Sequence, residues 1–509
     1  MFLIIFSKEE MYDADKYTIN SLGVASEILM ENAGQAIVHK MLKLLKPTDN
    51  ITIFSGYGNN GGDGIAIARR LKNLKFNVNL VLISSPSQYK GPSLYHLNLY
   101  KSHGYNFYTY DKITNQIIDK STIIIDAIFG IGFKCKSNST CYKLIEDINK
   151  SNAKIISVDI PSGVSANGDM IANAIKANYT FTISFPKLSA FLYPSKINYG
   201  KISVVDAGIV FNNTSKEALK QTWSQENFEK TLPPRKPNSH KGTYGKALII
   251  GGSKYMPGAP ILCAKACFTS GIGLLTLAIP KFAQNYSINN LPESTYTHCL
   301  EKDNYIYDFE IPDKTSVIAC GPGLSRNHIV RNVVKKTILS NVPIILDADA
   351  LYFLDDELIN LIKSRNKPTI LTPHTGEMAR MCNCPTEEIE TNRFKISKQK
   401  AIEWNCFLVL KGPHTILSTP DGNQYVNISG NEGLSKGGSG DVLTGIIAAF
   451  IPSHQNIQQA ISNAIFTHGR SADLLSKSKK TTRDIAPTDI INNLNNVFKE
   501  VVNKNYELY

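Results

Sequence analysis

Short apolar runs of strand length alternate with longer helix-like segments along most of the chain, and this alternation limits the possible folds more than any other feature. Strand-like runs are expected at residues 51–55, 77–83, 122–126, 154–159, 179–184 and 201–205, and then at 247–250, 274–278, 317–320, 344–347, 369–372 and 407–410. Segments 9–46 and 65–74 are among those with helical character. Strands that alternate with helices pair in parallel and are covered on both faces. The sequence therefore predicts an α/β protein with parallel sheets between layers of helices.

The length and one change of character indicate two domains. The chain has 509 residues, which is enough for two or three domains. Around residues 212–245, prolines and charges replace the apolar period, most clearly at Thr231–Pro237. We predict a Rossmann-like three-layer domain at 1–212, a linker at 213–222 and a second α/β domain at 223–509.

Composition and charge exclude several classes of protein. The formal net charge is +12, but the lysines are scattered and form no long run, so we expect no nucleic-acid partner. The apolar start Met1–Phe6 is far too short for a membrane span, and no other stretch qualifies. Nine cysteines without a C-x-x-C pair argue against a disulfide framework. We expect a cytoplasmic protein.

A glycine-rich stretch lies directly before an apolar run in the second half. Gly437, Gly438, Ser439 and Gly440 precede Asp441, and residues 442–450 predict a buried helix. Unpaired amides and the helix dipole at such a start favour a phosphate, and a carboxylate beside it can take a proton from an attacking hydroxyl. The alternative is an ordinary glycine turn followed by a helix acid. The stretch is not a Walker loop, but it resembles the anion hole and catalytic Asp of ribokinase-like enzymes.

A second glycine-rich stretch follows the first predicted strand. Gly56, Gly58 and Gly61 have the spacing of the dinucleotide fingerprint, so a dehydrogenase must be considered. That interpretation requires an acidic residue at the end of the next strand to bind the ribose. Residues 82–86 contain no Asp, Glu or Arg. The sequence therefore argues against a conventional dehydrogenase.

Polar side chains recur where the predicted strands of the first half end. Asn60, Asp126, Asp159 and Ser162 all follow such strands. Because ligands of parallel sheets bind beyond the carboxyl ends of the strands, these side chains predict a site at one rim. The alternative is that each Asp only caps the turn that follows it.

Four motifs in order give the first half a family resemblance. They are M-E-N-A-G at 30–34, G-x-G-N-N-G-G-D-G at 56–64, D-A-x-F-G-x-G at 126–132 and V-D-I-P-S-G at 158–163. They resemble the YjeF N-terminal domain, an NAD(P)H-hydrate epimerase. The family often has G-T-G-L-x-R in its second loop, from which residues 130–134 depart. The resemblance implies that the hydrated dinucleotide contacts Asn59, Asn60, Gly61, Gly62, Asp63, Gly130, Ile131, Gly132, Phe133, Lys134, Cys135, Lys136 and Asp159. It also implies a potassium ion held by Asn60, Asp126 and Ser162.

The second half resembles the YjeF C-terminal family, the ribokinase-like NAD(P)H-hydrate dehydratases. The resemblance rests on polar loops at 251–259, 321–323, 347–350, 372–377 and 411–415, followed by the glycine turn. It implies that Ala259, Gly323, His374 and Asp441 contact the hydrate. It also implies that Lys411, Gly412, Pro413, His414, Thr415 and Gly440 contact the adenine nucleotide, with Gly437–Gly440 as the anion hole. Asp347 and Asp349 either support their loops or bind Mg²⁺ through water.

The two resemblances together imply metabolite repair. The first domain would interconvert the epimers of hydrated NADH and NADPH, with Asp159 transferring a proton. The second would dehydrate the S epimer at the expense of ADP or ATP with Mg²⁺, with Asp441 as the base. Related proteins assemble, so a homo-oligomer is expected. The alternatives are a vitamin-precursor kinase with a nucleotide-sensing first domain, and a scaffold without activity.

Overall fold

The computed structural model describes residues 3–111, 114–133, 140–212, 218–478 and 480–506. The chain divides into two compact units, Leu3–Glu217 and Ala218–Tyr509. Across the described ranges, no helix has both the length and the apolar character needed to cross a membrane.

The first unit is built on one parallel sheet. Its strands are β1 (Asn50–Ser55), β2 (Asn77–Leu82), β3 (Tyr108–Thr109), β4 (Ile123–Ala127), β5 (Lys154–Val158), β6 (Tyr179–Ile183) and β7 (Lys201–Val205). The order is β3-β2-β1-β4-β5-β6-β7, and every neighbouring pair is parallel. The central strands are buried on both faces, as a sheet covered by helices on both sides requires. The predicted α/β class is confirmed.

The helices of the first unit differ from the prediction at its beginning. They are α1 (Lys8–Lys16), α2 (Ser26–Met41), α3 (Asn59–Asn73), α4 (Gly91–Ser102), α5 (Thr114–Lys120) and α6 (Thr140–Lys150). The single helix predicted at 9–46 is wrong. A π-helical turn, Tyr17–Ser21, ends the first helical segment, and Gly23 then takes φ +74°, which a continuous helix does not allow. Two separate helices result.

Gly61, Gly62 and Gly64 lie in the first turns of α3, so the helix predicted at 65–74 begins earlier, at Asn59. A Cβ atom at Gly61 would lie 1.6 Å from the carbonyl oxygen of Gly56, and one at Gly62 would lie 2.4 Å from the sulfur of Met30. No side chain fits at either position, so α3 begins directly against β1 and α2. This tight packing holds the polar side chains of the first turn at the carboxyl edge of the sheet.

The second unit has a longer, mixed sheet. Its strands are β8 (Lys220–Trp223), β9 (Lys246–Ile250), β10 (Leu274–Ala278), β11 (Thr295–Tyr296), β12 (Cys299–Lys302), β13 (Tyr305–Phe309), β14 (Val317–Cys320), β15 (Ile344–Leu346), β16 (Thr369–Leu371), β17 (Phe407–Leu410), β18 (Ile416–Ser418) and β19 (Gln424–Asn427). The order is β11-β10-β9-β14-β15-β16-β17-β18-β19-β8, while β12 and β13 form a separate hairpin. Strand β8 falls largely within the predicted linker, because it pairs with β19 at the sheet edge and so belongs to this unit.

The helices of the second unit cover both faces of its sheet. They are α7 (Gln225–Thr231), α8 (Gly258–Thr269), α9 (Lys281–Asn290), α10 (Arg331–Ile338), α11 (Asp349–Tyr352), α12 (Asp356–Lys363), α13 (Thr375–Cys382), α14 (Thr386–Thr391), α15 (Arg393–Glu403), α16 (Ser439–Ser453), α17 (Ile457–Ser478) and α18 (Pro487–Tyr506). Helix α16 contains the predicted apolar run, is buried from Val442 to Ile451, and packs against α8, α17 and α18. It lies very close to α8, since a Cβ at Gly445 would be 2.1 Å from the carbonyl oxygen of Cys263.

Candidate active sites

The first unit contains a cavity of about 700 Å³ at the carboxyl ends of its central strands. Of the predicted hydrate contacts, its wall includes Asn59, Asn60, Asp63, Gly130, Ile131, Gly132, Phe133 and Asp159. Gly61 and Gly62 are buried in α3, and their lack of a side chain allows that helix to pack closely against its neighbours. The predicted contacts Lys134, Cys135 and Lys136 lie outside the described residues.

The three predicted potassium ligands are joined through the backbone of Phe129. Asn60 Nδ2 donates to the Phe129 carbonyl at 2.8 Å, and the Phe129 amide donates to Ser162 Oγ at 2.9 Å. Ser162 in turn donates to Asp126, from its amide at 2.8 Å and from its hydroxyl at 2.5 Å. Burial raises the pKa of Asp126, and the hydrogen bonds from Ser162 oppose that rise. The amide oxygen of Asn60 is buried and receives no hydrogen bond from the residues that the structure describes.

Asp159 forms a buried ion pair that the sequence analysis did not predict. Its Oδ1 atom accepts hydrogen bonds from Lys187 Nζ and from the Ile183 amide, the latter at 2.9 Å. Lys187 is only 1% exposed and also donates to the Ile183 carbonyl. Oδ2 of Asp159 has no hydrogen bond among the described residues, and Asp159 lines the cavity. One oxygen is therefore anchored while the other is free to accept a proton.

Two further carboxyl groups share this cavity. Asp63 is buried, and this burial together with the charges of Asp159 and Asp15 raises its pKa well above the usual range. Burial also raises the pKa of Asp15, to about 6, although the Lys187 charge opposes the rise. Lys187 follows β6 as the other site residues follow their strands, so the same signal could have identified it. Asp15 lies on α1, where no sequence signal marked it.

In the second unit, the glycine turn begins the buried helix as predicted. Gly438 takes φ +94° and is the residue before α16. The amides of Gly440 and Asp441 have no acceptor among the described residues, as expected for the first turn of a helix. The Ser439 amide, by contrast, donates to the Lys436 carbonyl at 3.2 Å. Of the four residues predicted as an anion hole, Ser439 therefore has its amide already bonded.

A lysine at the end of β17 reaches this turn. Lys411 Nζ donates to Asp347 Oδ1 at 2.8 Å and lies 3.9 Å from Glu377 Oε2. The second carboxylate oxygen of Asp347 accepts a hydrogen bond from Thr444 Oγ1 at 2.7 Å. A Cβ at Gly440 would be 3.3 Å from the Lys411 nitrogen. The ammonium group therefore lies beside the first amides of α16.

Asp441 lies in a strongly negative environment. Burial, then the charge of Asp347, and to a lesser extent Asp349 and Glu377, raise the pKa of Asp441 to about 7, against the opposing charge of Lys411. A carboxyl group with a pKa near neutrality is suited to general-base catalysis. The environment of Asp441 is thus unlike that of an ordinary helix-capping acid.

The other predicted hydrate contacts lie at the same edge of the sheet. A Cβ at Gly323, which takes φ +63°, would be 3.1 Å from the Cβ of Ala259. His374 is the N-cap of α13, and its Nδ1 accepts from the amides of Gly376 at 3.0 Å and Glu377 at 3.3 Å. The ring is held in place, and its Nε2 lies 3.4 Å from Glu377 Oε1.

The loop at residues 411–415, predicted to contact the nucleotide, is held in place by a buried arginine. Arg393 is almost fully buried and donates to the carbonyl groups of Leu410 and Lys411. Thr415 Oγ1 donates to the Gly412 carbonyl at 3.2 Å, which closes the loop. Asp349, whose role the sequence left open, accepts from the Ser325 amide at 2.8 Å. Among the described residues, no group of three or more His, Cys, Asp or Glu side chains is arranged to hold a metal ion.

Comparisons with known proteins relate both halves to one activity. A family model described as YjeF-related protein N-terminus matches residues 26–189, and one described as NAD(P)H-hydrate dehydratase matches residues 247–496. A relative from Thermofilum pendens, named bifunctional NAD(P)H-hydrate repair enzyme Nnr, is 33% identical over 91% of this chain and 90% of its own. The Moorella thermoacetica protein of the same name is 32% identical over 94% of this chain and 93% of its own.

A solved structure resembles the second half. The ADP/ATP-dependent NAD(P)H-hydrate dehydratase of Bacillus subtilis, co-crystallised with ATP and Mg²⁺, is 34% identical. The match covers 55% of this chain and 98% of that protein, with a TM-score of 0.50. This similarity agrees with the ribokinase-like architecture expected for the second unit.

Proposed function

The chain belongs to the family of bifunctional NAD(P)H-hydrate repair enzymes, and on that premise we propose how its two units divide the work. It is an enzyme that epimerises hydrated NADH and NADPH and dehydrates the S epimer with an adenine nucleotide. The first unit carries the epimerase site in its cavity, and the second carries the dehydratase site at the start of α16.

The observation that carries the dehydratase assignment is the position of Asp441 beside unbonded amides. The pKa of this carboxyl group is raised to about 7, and the Gly440 and Asp441 amides are free to bind an anion. Such donors stabilise charge that develops on a transferring phosphoryl group. A base and an anion site in contact are the two requirements for phosphorylating an alcohol.

Phosphorylation makes dehydration possible because hydroxide is a poor leaving group. Asp441 takes the proton of the substrate hydroxyl, whose oxygen attacks the terminal phosphoryl group of the nucleotide. The lone pair of the ring nitrogen then expels phosphate, and loss of a proton from the neighbouring carbon restores the double bond. His374, Ala259 and Gly323 contact the hydrate, while the loop at residues 411–415 contacts the nucleotide.

Mg²⁺ is proposed to enter with the nucleotide. The Bacillus subtilis relative was crystallised with ATP and Mg²⁺, and Mg²⁺ is usually held by one or two carboxylates together with the phosphates. Bound there, the ion would neutralise charge on the phosphates. The hydrogen bonds made by Asp347 and Asp349 support the loop-supporting role for both residues.

Epimerisation is proposed to use the acid groups of the first cavity. Asp159 is paired with Lys187, and its free Oδ2 can accept a proton. Asp63 has a strongly raised pKa and so can remain a neutral acid that donates one. Opening of the ring, or loss of its hydroxyl with assistance from the ring nitrogen, would erase the configuration at the hydrated carbon. Return of the group from the other side gives the second epimer.

A potassium ion fits the oxygen cluster of the first unit. The Asn60 amide oxygen has no hydrogen-bond partner within the described residues, and the Asp126 carboxylate is connected to the same side chain through Phe129 and Ser162. Oxygen-only ligands suit a hard cation. Bound there, K⁺ would hold the loop after β4 at the cavity, and Asn60, Asp126 and Ser162 are the proposed ligands.

Potassium should therefore stabilise the first unit specifically through Asn60. We expect the first unit of the wild-type chain to unfold at a higher temperature in KCl than in choline chloride of equal ionic strength, since a ligand that binds only the folded state stabilises it. Asn60→Leu should abolish that difference, whereas Asn77→Leu, at an exposed position on β2, should preserve it. An equal response to the two salts in the wild type would contradict the ion site.

The pH dependence of dehydration should follow ionisation of Asp441. Because the base must be deprotonated and its pKa is about 7, kcat/KM for the S epimer should rise with pH and level off above neutrality. Initial rates from pH 5 to 9 with saturating nucleotide would measure this. A rate that is constant, or that falls, across neutrality would argue against Asp441 as the base.

The function itself is tested by incubating the chain with hydrated NADH and ADP or ATP. Recovery of NADH with release of phosphate supports repair. A stable phosphorylated product would instead indicate a kinase, and no reaction would indicate a scaffold. Sedimentation of the same sample tests the proposed homo-oligomer.

A further inference from the structure

Lys411 has a fixed position and an incompletely used ammonium group. Its amide donates to the Pro373 carbonyl at 2.9 Å, which fixes the backbone after β17. The side chain is 19% exposed, and its ammonium group donates a hydrogen bond to Asp347. Within the described part of the chain, its other two N–H groups have no acceptor at hydrogen-bond distance, since Glu377 is 3.9 Å away.

The direction of this ammonium group identifies what it can bind. A Cβ atom at Gly440 would lie only 3.3 Å from Nζ, so the free N–H groups adjoin the residue whose own amide is unbonded. A backbone amide and an ammonium group that share one space form a site for an anion with several oxygens. A phosphoryl group has the required charge and number of acceptors.

The neighbouring charges make such a cation necessary. Asp441, Asp347 and Glu377 surround the space in front of α16, and a phosphate brought among carboxylates is repelled. Lys411 is the cation that acts on Asp441 alongside these acids. If Lys411 only neutralised the buried Asp347, the hydrogen bond between the two would be explained. The closeness of the ammonium group to Gly440 would not.

We propose that the Lys411 ammonium binds the phosphoryl group during its transfer, and that Asp347 and Thr444 are positioning residues that hold the ammonium there. This inference rests on the proposed dehydratase function and refines the expected contact of Lys411 with the nucleotide, from the nucleotide in general to its terminal phosphate. The P–O bond to the nucleotide breaks as the bond to the substrate oxygen forms. Lys411 remains charged throughout and transfers no proton.

The test compares two nucleotides on two variants. Lys411→Met should lower kcat for dehydration by about 10²–10³-fold, the typical effect of removing one donor to a developing oxyanion. Affinity for the nucleotide that supports turnover should fall about tenfold, while affinity for its product, which lacks the transferred phosphate, should change less than about twofold. Lys411→Arg, which keeps the charge, should recover part of kcat. Lys335→Met removes a lysine from an exposed ion pair with Glu357 and should behave as the wild type.

Lys411→Met leaves the buried Asp347 carboxylate without its cation, which destabilises the fold, so a second variant is needed. Lys411→Met/Asp347→Asn removes both charges, and it should fold, bind the product nucleotide and remain as inactive as the single variant. A folded variant with kcat within about threefold of the wild type, or an equal loss of affinity for both nucleotides, would overturn the inference. A wild-type chain that produced no NADH would instead overturn the proposed function.

Discussion

Replacing Asp441 with Asn should abolish dehydration and leave epimerisation unchanged. Without the carboxylate, the substrate hydroxyl keeps its proton, and loss of a general base typically costs about 10²–10⁴-fold in rate. Epimerisation should persist because its residues all belong to the first unit. NADH formation from the S epimer measures the first reaction, and chromatographic exchange of the two epimers without nucleotide measures the second.

The same variant should be more stable than the wild type at alkaline pH. The folded-state pKa of Asp441 is about 7, above the value near 4 expected when unfolded, so the wild type loses stability as pH rises between these values. Asn does not titrate, so at pH 8 the free energy of unfolding of the variant should exceed that of the wild type by on the order of 2–4 kcal/mol. The exposed Asp356→Asn serves as the matched control and should change neither activity nor stability. Loss of both activities in a folded Asp441→Asn chain would contradict separate sites.

Replacing Asp159 with Ala should produce the opposite result, with epimerisation lost and dehydration of the S epimer retained. The substitution removes the proposed proton-transfer group and leaves the Lys187 ammonium buried without its anion. Breaking a buried pair from one side costs about 3–5 kcal/mol, so the first unit should also unfold at a lower temperature. The ratio of epimerisation to dehydration rates in one sample separates the two activities.

Two controls distinguish chemistry from folding at Asp159. Asp159→Asn/Lys187→Met removes both charges while keeping similar shapes, so it should recover stability but not epimerisation. Asp206→Asn, at an exposed site in the same unit, should leave both activities intact. Near-normal epimerisation in the stable double variant would remove Asp159 from the mechanism.

Much of the fold followed from the period of the apolar residues. The strands β7, β10, β14 and β17 have the predicted bounds, because buried parallel strands appear as short apolar runs. Local chemistry also predicted the start of α16, where glycine before an apolar run left few alternatives. The predicted roles of its residues remain predictions.

The remaining features depend on contacts between residues that lie far apart in the sequence. The polar strand β8 forms only because it pairs with β19, and the buried Trp223 donates to Asn463 far along the chain. The helix predicted at 65–74 begins six residues earlier, because Gly61 and Gly62 pack closely against Gly56 and Met30. The strand-end pattern could have placed Lys187 and Asp159 at the same rim, but their pairing joins two loops and is not encoded by either one alone.

The division into two units has an evolutionary consequence. Because the residues proposed for each site all belong to one unit, we expect neither reaction to depend on the covalent joint between the units. Separate genes for the halves would supply the same catalysis, provided that the cell made both in balanced amounts. On this view, fusion would chiefly keep equal amounts of two activities that act on one damaged metabolite.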